Sequence, residues 1–453
     1  MRTPLRGIRV VDASRILAGP LCTQLLADLG ADVLKLEPAD GDATRAWGPP
    51  FAHGEHGDSA YFRSCNRGKH SEVLELGTAA GQARLHALLR DADVYVENFR
   101  AGSLHKHGLE PAQLRARYPR LVIGSIRAFA SDTAAASRAG YDFLMQAEAG
   151  WMAITGPVDG PPMKVGVALV DVLTGLYLAN GIQAALLERE RSGVGAHVEV
   201  PLYEAALAGL VNVGASVLMT GRDARRFGNA HPNIVPYQSF EAADGTFAVA
   251  VGNDAQFAAL CEAFGLRDAL AAHPAWATNP GRVADRDAVV AALAAAFATR
   301  TRASILAGCE SIGVPAGPVR GVAEALLEQG DGRLHRAVVE LRDAAGTTQR
   351  GIAAPILVDG TRAAHRDPPP PLPRACPPVL PAPPAPPARA ARAATATKRS
   401  FARSPTARWA ARLPPPLSGT APWPTLLSEW SRRADSSARS KRPMPWSKRR
   451  KSC

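Results

Sequence analysis

The first 130 residues alternate short, apolar, β-branched runs with segments of helical periodicity, and this alternation constrains the fold more than any composition figure. Residues 7–13 (GIRVVDA) read as a strand. Residues 20–30 (PLCTQLLADLG) read as a helix with Pro20 near its start and Gly30 as its stop. A strand at 31–37 (ADVLKLE), a helix at 80–92 (AGQARLHALLRDA) and strands at 93–99 (DVYVENF) and 120–126 (RLVIGSI) follow. Nearly continuous apolar strands joined through helices predict a parallel sheet covered on both faces, an α/β, Rossmann-like fold. The first strand–turn–helix reads DASRILAGPLCTQ and lacks G-x-G-x-x-G, which disfavours an NAD enzyme.

Further on, residues 172–190 form a strongly apolar helical pattern, followed by a strand at 196–202 and another helix near 202–220. The polar stretch TGRDARRFGNAHPNIVPYQSF breaks the pattern. The expected organisation is therefore a large α/β domain over 1–220, a linker at 221–237, and a smaller α+β domain over 238–325. That smaller domain should hold strands TFAVAVG and GVPAGPV and helices near 254–264, 285–298 and 302–310. Residues 326–366 should return to the large domain, with GIAAPILVDG (351–360) as a last strand.

The chain of 453 residues carries a net charge of +12, which would suggest a nucleic-acid partner until the charge is located. Residues 367–453 hold 17 Lys and Arg against 3 Asp and Glu, a net +14, so the remaining 366 residues are close to neutral at −2. The same tail holds 20 of the 38 prolines and one of the 40 glycines. Its composition cannot bury enough apolar surface to offset chain entropy, so it reads as disordered. An Ala/Pro/Arg/Ser-rich end is also what a GC-rich gene gives when translated out of frame. Six scattered cysteines show no CxxC and no zinc spacing, so no metal site is expected. The N-terminus has no apolar h-region, and no stretch of about 18 uncharged apolar residues suggests a membrane span. The body reads as cytoplasmic.

One carboxylate interrupts the apolar run GVALVDVLTG (166–175): Asp171, at the mouth of the 172–190 helix. Two readings stay open from the residues themselves. Aspartate is favoured there as an N-cap, and the helix dipole would also keep a reactive carboxylate ionised. Gly166 and Gly175 are compatible with close approach of a large ligand, and Gly175 equally with helix packing.

Seven stretches, in order across roughly residues 5–360, together resemble the class III CoA-transferases, the formyl-CoA and carnitine CoA-transferase family. They are LAGPLCTQLLADLGADVLKLEP, NRGKHSEVLEL, DVYVENFRAGSL, GYDFLMQAEAGWMAITG, GVALVDVLTG, GNAHPNIVPYQSF and GVPAGPV. The resemblance implies transfer of CoA from an acyl-CoA donor to a free carboxylic acid, with Asp171 as nucleophile and mixed anhydrides and an aspartyl-CoA thioester as intermediates. It implies CoA contacts at Ile16, Leu17, Asn98, Phe99 and Lys106, with Arg67 and Lys69 nearby for the phosphates. Tyr141, Asn229, His231 and Tyr237 are the implied substrate-side residues, in a branch handling C4–C6 dicarboxylates such as succinate or glutarate. No permanently bound cofactor and no metal are implied; the CoA thioester is substrate. The family's assembly is two ring-shaped chains interlocked as a homodimer, with neither nucleic acid nor membrane as partner. Formyl-CoA transferase carries a glutamine where this chain has Leu17, so its acceptor preference does not transfer, and the basic tail has no family counterpart.

An α-methylacyl-CoA racemase on the same fold is the nearest rival. It uses a histidine in a GHD motif as base, whereas this chain reads GYD, with Tyr141 before Asp142. A tyrosine with pKa near ~10 is a poor base at neutral pH. A nucleic-acid-binding protein using its basic tail is the rival from another class. An inactive CoA-binding family member is a third, against which the retained Asp171 argues.

Overall fold

The computed structural model describes residues 3–52, 57–327, 337–342, 346 and 348–373. The chain divides into two units, 1–380 and 381–453, and every described residue lies in the first. The tail expected from 367 onward therefore falls outside the described residues except for its first seven positions.

Strands β1 (Arg9–Asp12), β2 (Asp32–Glu37), β3 (Lys69–Val73), β4 (Val94–Glu97), β5 (Val122–Arg127) and β6 (His197–Pro201) form one sheet. Its order is β3-β2-β1-β4-β5-β6, and every neighbouring pair is parallel. The helices of this part are α1 (Ala18–Asp28), α2 (Ala60–Ser64), α3 (Ala79–Asp91), α4 (Pro111–Arg117), α5 (Asp142–Glu148), α6 (Trp151–Ile154), α7 (Leu169–Ser192), α8 (Leu202–Gly209) and α9 (Val211–Thr220). Alternate strand residues face opposite sides, as a pleated sheet requires. Val10, Val33, Val94, Val96 and Val122 pack with α1 and α7 on one face. Val11, Leu36, Tyr95 and Ile123 pack with Leu85 and Leu89 of α3 and Leu114 of α4 on the other. Burying each such leucine stabilises the fold by about 2 kcal/mol, which is why both faces must be covered.

By length and mean hydropathy (1.3) α7 is long and apolar enough to cross a membrane, although its uncharged run, 172–187, stays under about 18 residues, and so are two bent helix pairs taken as single spans. In the fold, α7 lies on α1, β5 and β6. It buries Val170, Thr174, Leu178, Ile182 and Leu186 at helical spacing. Gly175 permits this packing: a Cβ there would meet the Ala18 carbonyl oxygen at 2.7 Å, whereas nothing lies within 4 Å of a Cβ at Gly166. The glycine expected to serve either a ligand or packing serves packing.

The single helix expected near 202–220 is two helices bent by 79°. The bend falls at Val211, whose φ of +42° is unusual for a β-branched residue, two positions after Gly209, the last residue of α8. Residues 221–236 run irregularly. Then β7 (Tyr237–Ala242), β8 (Gly245–Ala250) and β9 (Ala316–Pro318) form a three-stranded antiparallel sheet, with α10 (Asp254–Ala263), α11 (Asn279–Ala284), α12 (Arg286–Ala298), α13 (Arg302–Ser311) and α14 (Val322–Leu327) around it. Phe240, Phe247, Phe257, Phe264 and Phe297 fill a core of its own. Edge-to-face contacts at 5.2–5.3 Å join Phe297 to Phe240, Phe247 and Phe264.

Residues 351–360 do not add a strand to the main sheet. The strand β11 (Thr348–Ile352) pairs antiparallel with β10 (Val338–Arg342), and a two-residue hairpin, β12 (Leu357–Val358) and β13 (Thr361–Arg362), follows. The chain returns to the first sheet through side chains and loop backbone instead. Arg67 Nη1 donates to the Ile352 carbonyl (2.6 Å), and the His365 N–H to Asp28 Oδ1 (2.8 Å). The contacts continue past 366: the Gly68 N–H donates to the Asp367 carbonyl (3.1 Å), Arg45 Nη2 to the Pro370 carbonyl (3.1 Å), and Pro369 and Pro370 are buried. Residues 367–373 thus belong to the fold, correcting the boundary drawn from proline content.

Candidate active site

The sheet order reverses between β1 and β4. Loops leaving their carboxyl ends diverge there, and an open α/β sheet binds its ligand in the crevice between them. A cavity of about 450 Å³ occupies this crevice. The turn after β1 (Arg15, Ile16, Leu17), the turn after β4 (Asn98, Phe99, Arg100) and the end of β5 supply its walls, together with residues 138–141 and Asp171.

The turn after β1 is held by distant side chains rather than by glycines. Asn98 grips the backbone of Arg15 at both ends, accepting from its N–H (2.9 Å) and donating to its carbonyl (2.8 Å). The Ile16 N–H donates to Asp42 Oδ2 (3.3 Å), and the fully buried Lys35 donates to the Ser14 carbonyl (2.8 Å) and pairs with Asp42 (3.0 Å). Between these tethers Ile16 is held at φ +72°, a left-handed conformation strained for a β-branched residue. The surrounding contacts over-determine that strain at the cavity wall.

Asp171 is the third residue of α7, and it is not the cap. Asp142, the buried first residue of α5, supplies that function from 29 positions away. Its Oδ2 accepts the N–H groups of Val170 (2.7 Å) and Asp171 (3.1 Å), two of the donors a helix start leaves unpaired. The Asp171 carboxylate therefore has no capping bond and, among the described residues, accepts no hydrogen bond; it is left facing the cavity. Burial first, and the neighbouring Asp142 carboxylate second, push its pKa up to about 7. This reverses the expectation that the helix terminus holds the group firmly ionised.

Of the residues expected at the site, the cavity brings together Asp171, Ile16, Leu17, Asn98, Phe99 and Tyr141. Arg67 and Lys69 are turned inward. Arg67 is buried against Asp28, with Nε donating to Oδ1 at 3.0 Å, and its backbone N–H donates to Gln24. Lys69 Nζ donates to Asp12 Oδ2 (3.0 Å), the Pro20 carbonyl (2.9 Å) and Asn66 Oδ1 (2.8 Å). All three ammonium hydrogens are used, leaving none for a phosphate. Lys106 is exposed on a short 3₁₀ turn outside the cavity lining. Asn229, His231 and Tyr237 lie beside the β7–β9 sheet. There Asn229 Nδ2 donates to Ser239 Oγ (2.9 Å), and the His231 ring packs on Tyr237 at 5.3 Å.

Sequence reasoning missed several groups. Arg15, Arg100 and Arg138 line the cavity; Arg138 pairs with Glu148 and stacks on Phe129 at 4.5 Å, while Arg15 lies 5.6 Å from the Phe99 ring. A cationic side chain on a turn after a strand was the available signal. Tyr61 of α2 faces the acidic pair, and burial first, then Asp171, push its pKa up to about 12. Nothing in its local sequence marks it. Among the described residues no cluster of three His, Cys, Asp or Glu could hold a metal ion.

The family model for CoA-transferase family III matches residues 5–374. A succinate–glutarate CoA-transferase from Agrobacterium fabrum is 43% identical over 82% of this chain and 93% of its own length. The succinyl-CoA:glutarate CoA-transferase of Mus musculus is 39% identical over 72% of this chain and 74% of its own. Among solved structures, a CaiB/BaiF family protein from Brucella suis superposes with a TM-score of 0.72 at 40% identity, covering 82% of this chain and 96% of that one. The chain belongs to CoA-transferase family III and is an enzyme that moves CoA between carboxylic acids.

Proposed function

We propose that the protein transfers CoA from a dicarboxylic acyl-CoA such as succinyl-CoA to a second small dicarboxylate, of which glutarate is the leading candidate, with Asp171 as nucleophile. The observation that carries this is the Asp171 carboxylate, free of hydrogen-bond donors among the described residues, on the cavity wall at the switch point of the sheet. The names of the relatives at 39–43% identity support the substrate class.

An Asp171 oxygen attacks the donor thioester carbonyl, the C–S bond breaks, and a mixed anhydride and the CoA thiolate form. The thiolate attacks the Asp171 carbonyl and releases the donor acid as its carboxylate, leaving an aspartyl-CoA thioester. The acceptor carboxylate then attacks that thioester and expels the thiolate to give a second mixed anhydride, and the thiolate attacks the acceptor acyl carbon, breaking its C–O bond to Asp171 and freeing the carboxylate. Each step exchanges one carboxyl derivative for another, so activation is conserved without ATP and no proton is consumed. Arg15 and Arg100 are placed for the CoA diphosphate, with Phe99 for the adenine. No permanently bound cofactor takes part.

Purified protein given succinyl-CoA and glutarate should yield glutaryl-CoA and succinate. Absence of CoA transfer to any acid of a C2–C6 mono- and dicarboxylate panel would sink the reading. In D₂O a racemase would place deuterium at the α-carbon of a 2-methylacyl-CoA. Asp142, the acid of the GYD motif, already accepts three hydrogen bonds, so no such exchange is expected.

Because the attacking form is the anion, kcat/KM should rise as pH increases through about 7 and level off above it. Asp142→Asn removes the neighbouring negative charge and should move this acid limb to lower pH. An unmoved limb would mean that Asp142 does not govern the nucleophile.

The active assembly is a homodimer in this reading. Helix α9 buries none of its own residues, and Leu218 and Met219 are 88% and 86% exposed, an apolar surface that a second copy would cover. Light scattering should give twice the chain mass, and the double substitution Leu218→Glu, Met219→Glu should shift it toward the monomer.

A further inference from the structure

Gln146 is fully buried, one turn beyond Asp142 on α5, and its amide has three partners. Its Nε2 donates to Asp142 Oδ1 (2.6 Å) and, more weakly, to the Val167 carbonyl (3.4 Å). Its Oε1 accepts the Val165 N–H (2.8 Å). Asp142 in turn holds the N–H groups of Val170 and Asp171 with its other oxygen. One turn of α5 therefore grips the chain at 165, 167, 170 and 171. We infer that Gln146 is the positioning residue of the nucleophile: directly at Val165 and Val167, and through Asp142 at Val170 and Asp171, it fixes the approach into α7 and so sets where the Asp171 carboxylate stands. This rests on the reading of Asp171 as the nucleophile.

The physical argument is one of saturation. A buried carboxylate that accepts from three donors is fixed by them in one orientation. Replacing the Gln146 donor by an apolar group leaves Asp142 Oδ1 buried and unpaired, and its grip on the Val170 and Asp171 N–H groups loosens. The charge that raises Asp171 then no longer stands at a fixed distance from it. The groups that face Asp171 are few. Asp142 comes from α5, Tyr61 from α2 and Tyr141 from the residue before α5. Arg127 stands at the end of β5, tied to Glu97 at 2.7 and 3.1 Å, and Arg138, Arg15 and Arg100 line the same cavity. Helices α1 and α8 contribute only Ala18 and Leu202 to the lining. Asp142 is the carboxylate that perturbs Asp171, so the electrostatic part of the Gln146 effect passes through Asp142.

Two variants and two readouts test this. For Gln146→Leu, kcat should fall by about tenfold or more while KM for succinyl-CoA changes by less than about twofold, because the nucleophile is misplaced and the CoA walls are untouched. For Gln146→Glu, the new carboxyl and Asp142 should share one proton in a buried pair. Turnover should persist while that proton is bound and fall as it is lost on raising pH, adding an alkaline limb that the native protein lacks. Independently of turnover, a ¹³C titration of the Asp171 carboxyl in substrate-free protein, assigned by its loss in Asp171→Asn, should move downward by about half a unit or more in Gln146→Leu. A native kcat in Gln146→Leu, a Gln146→Glu profile superimposable on the native one, or an unmoved Asp171 titration would each overturn the inference. If the native protein transferred no CoA, the proposed activity would fail, and the carboxyl titration would still decide the role of Gln146.

Discussion

Asp171→Asn is expected to lose CoA transfer by about 10⁴-fold or more and, at pH 8, to melt at a higher temperature than the native protein. The loss follows from chemistry: the amide keeps the shape but cannot form the anhydride. The gain follows from linkage. Burial and Asp142 push the Asp171 carboxyl from its ordinary value of 3.8 up to about 7 in the folded state, so the folded state holds this proton more tightly than the unfolded chain. A raised carboxylate pKa means stability is lost as pH rises from about 4 to about 7, and the full cost persists above that window. The shift corresponds to at most about 4 kcal/mol, and screening of a partly exposed group reduces this to about 2 kcal/mol. A neutral side chain removes the cost. Reading Asp171 as an N-cap predicts the opposite sign, a loss of about 1 kcal/mol. Thermal melts at pH 8 and pH 4 distinguish them: the variant should be the more stable at pH 8 only, and a lower melting point there would restore the capping role.

Lys69→Met is expected to cost about 3–5 kcal/mol of stability and to leave KM for the acyl-CoA unchanged in whatever protein folds. The ammonium sits at zero side-chain exposure against Asp12, which is equally buried at the end of β1. Burial pushes the Asp12 carboxyl up. The Lys69 and Lys35 charges and the Ser14 and Thr23 hydroxyls more than offset this and leave it at about 2. Removing Lys69 strands a buried anion, with Lys35 as its remaining cation. A phosphate-binding lysine would behave in the opposite way, raising KM by about tenfold or more with little change in melting. Denaturant unfolding together with KM for succinyl-CoA decides between them. Adding Asp12→Asn to Lys69→Met should recover part of the lost stability, because the stranded charge is then gone.

These two residues show what the sequence could and could not convey. Strands β1, β2, β4 and β5 and helices α1, α3 and α7 were legible because each carries an apolar periodicity that only one secondary structure satisfies. Strand β3 was not, since Lys-His-Ser-Glu-Val lies at the edge of the sheet and puts polar groups on both sides. The α8–α9 bend had one local signal, Gly209 inside the apolar run, which a reading by periodicity passes over. At the site, Asp171 stood out as the sole charge in an apolar run, and Ile16, Leu17, Asn98 and Phe99 through family resemblance. Whether a cation reaches solvent or is consumed inside is a tertiary property, so Lys69 and Arg67 were misplaced while Arg15 and Arg100 were overlooked. The cap of α7 was illegible for the same reason: its acceptor lies on another helix.

Residues 367–373 bear on how the polypeptide can be shortened. Proline content alone would place the cut after residue 366, yet Asp367 and Pro370 supply carbonyl acceptors to Gly68 and Arg45, and a Cβ at Gly41 would come within 3.3 Å of Leu372. Arg45 also pairs with Glu37 and Asp58, so the closing stretch acts as a clasp on β2, the strand that carries Lys35 and Glu37. A chain ending at 373 keeps that clasp. One ending at 366 opens it, and its loss of function would be mistaken for a function of the basic tail.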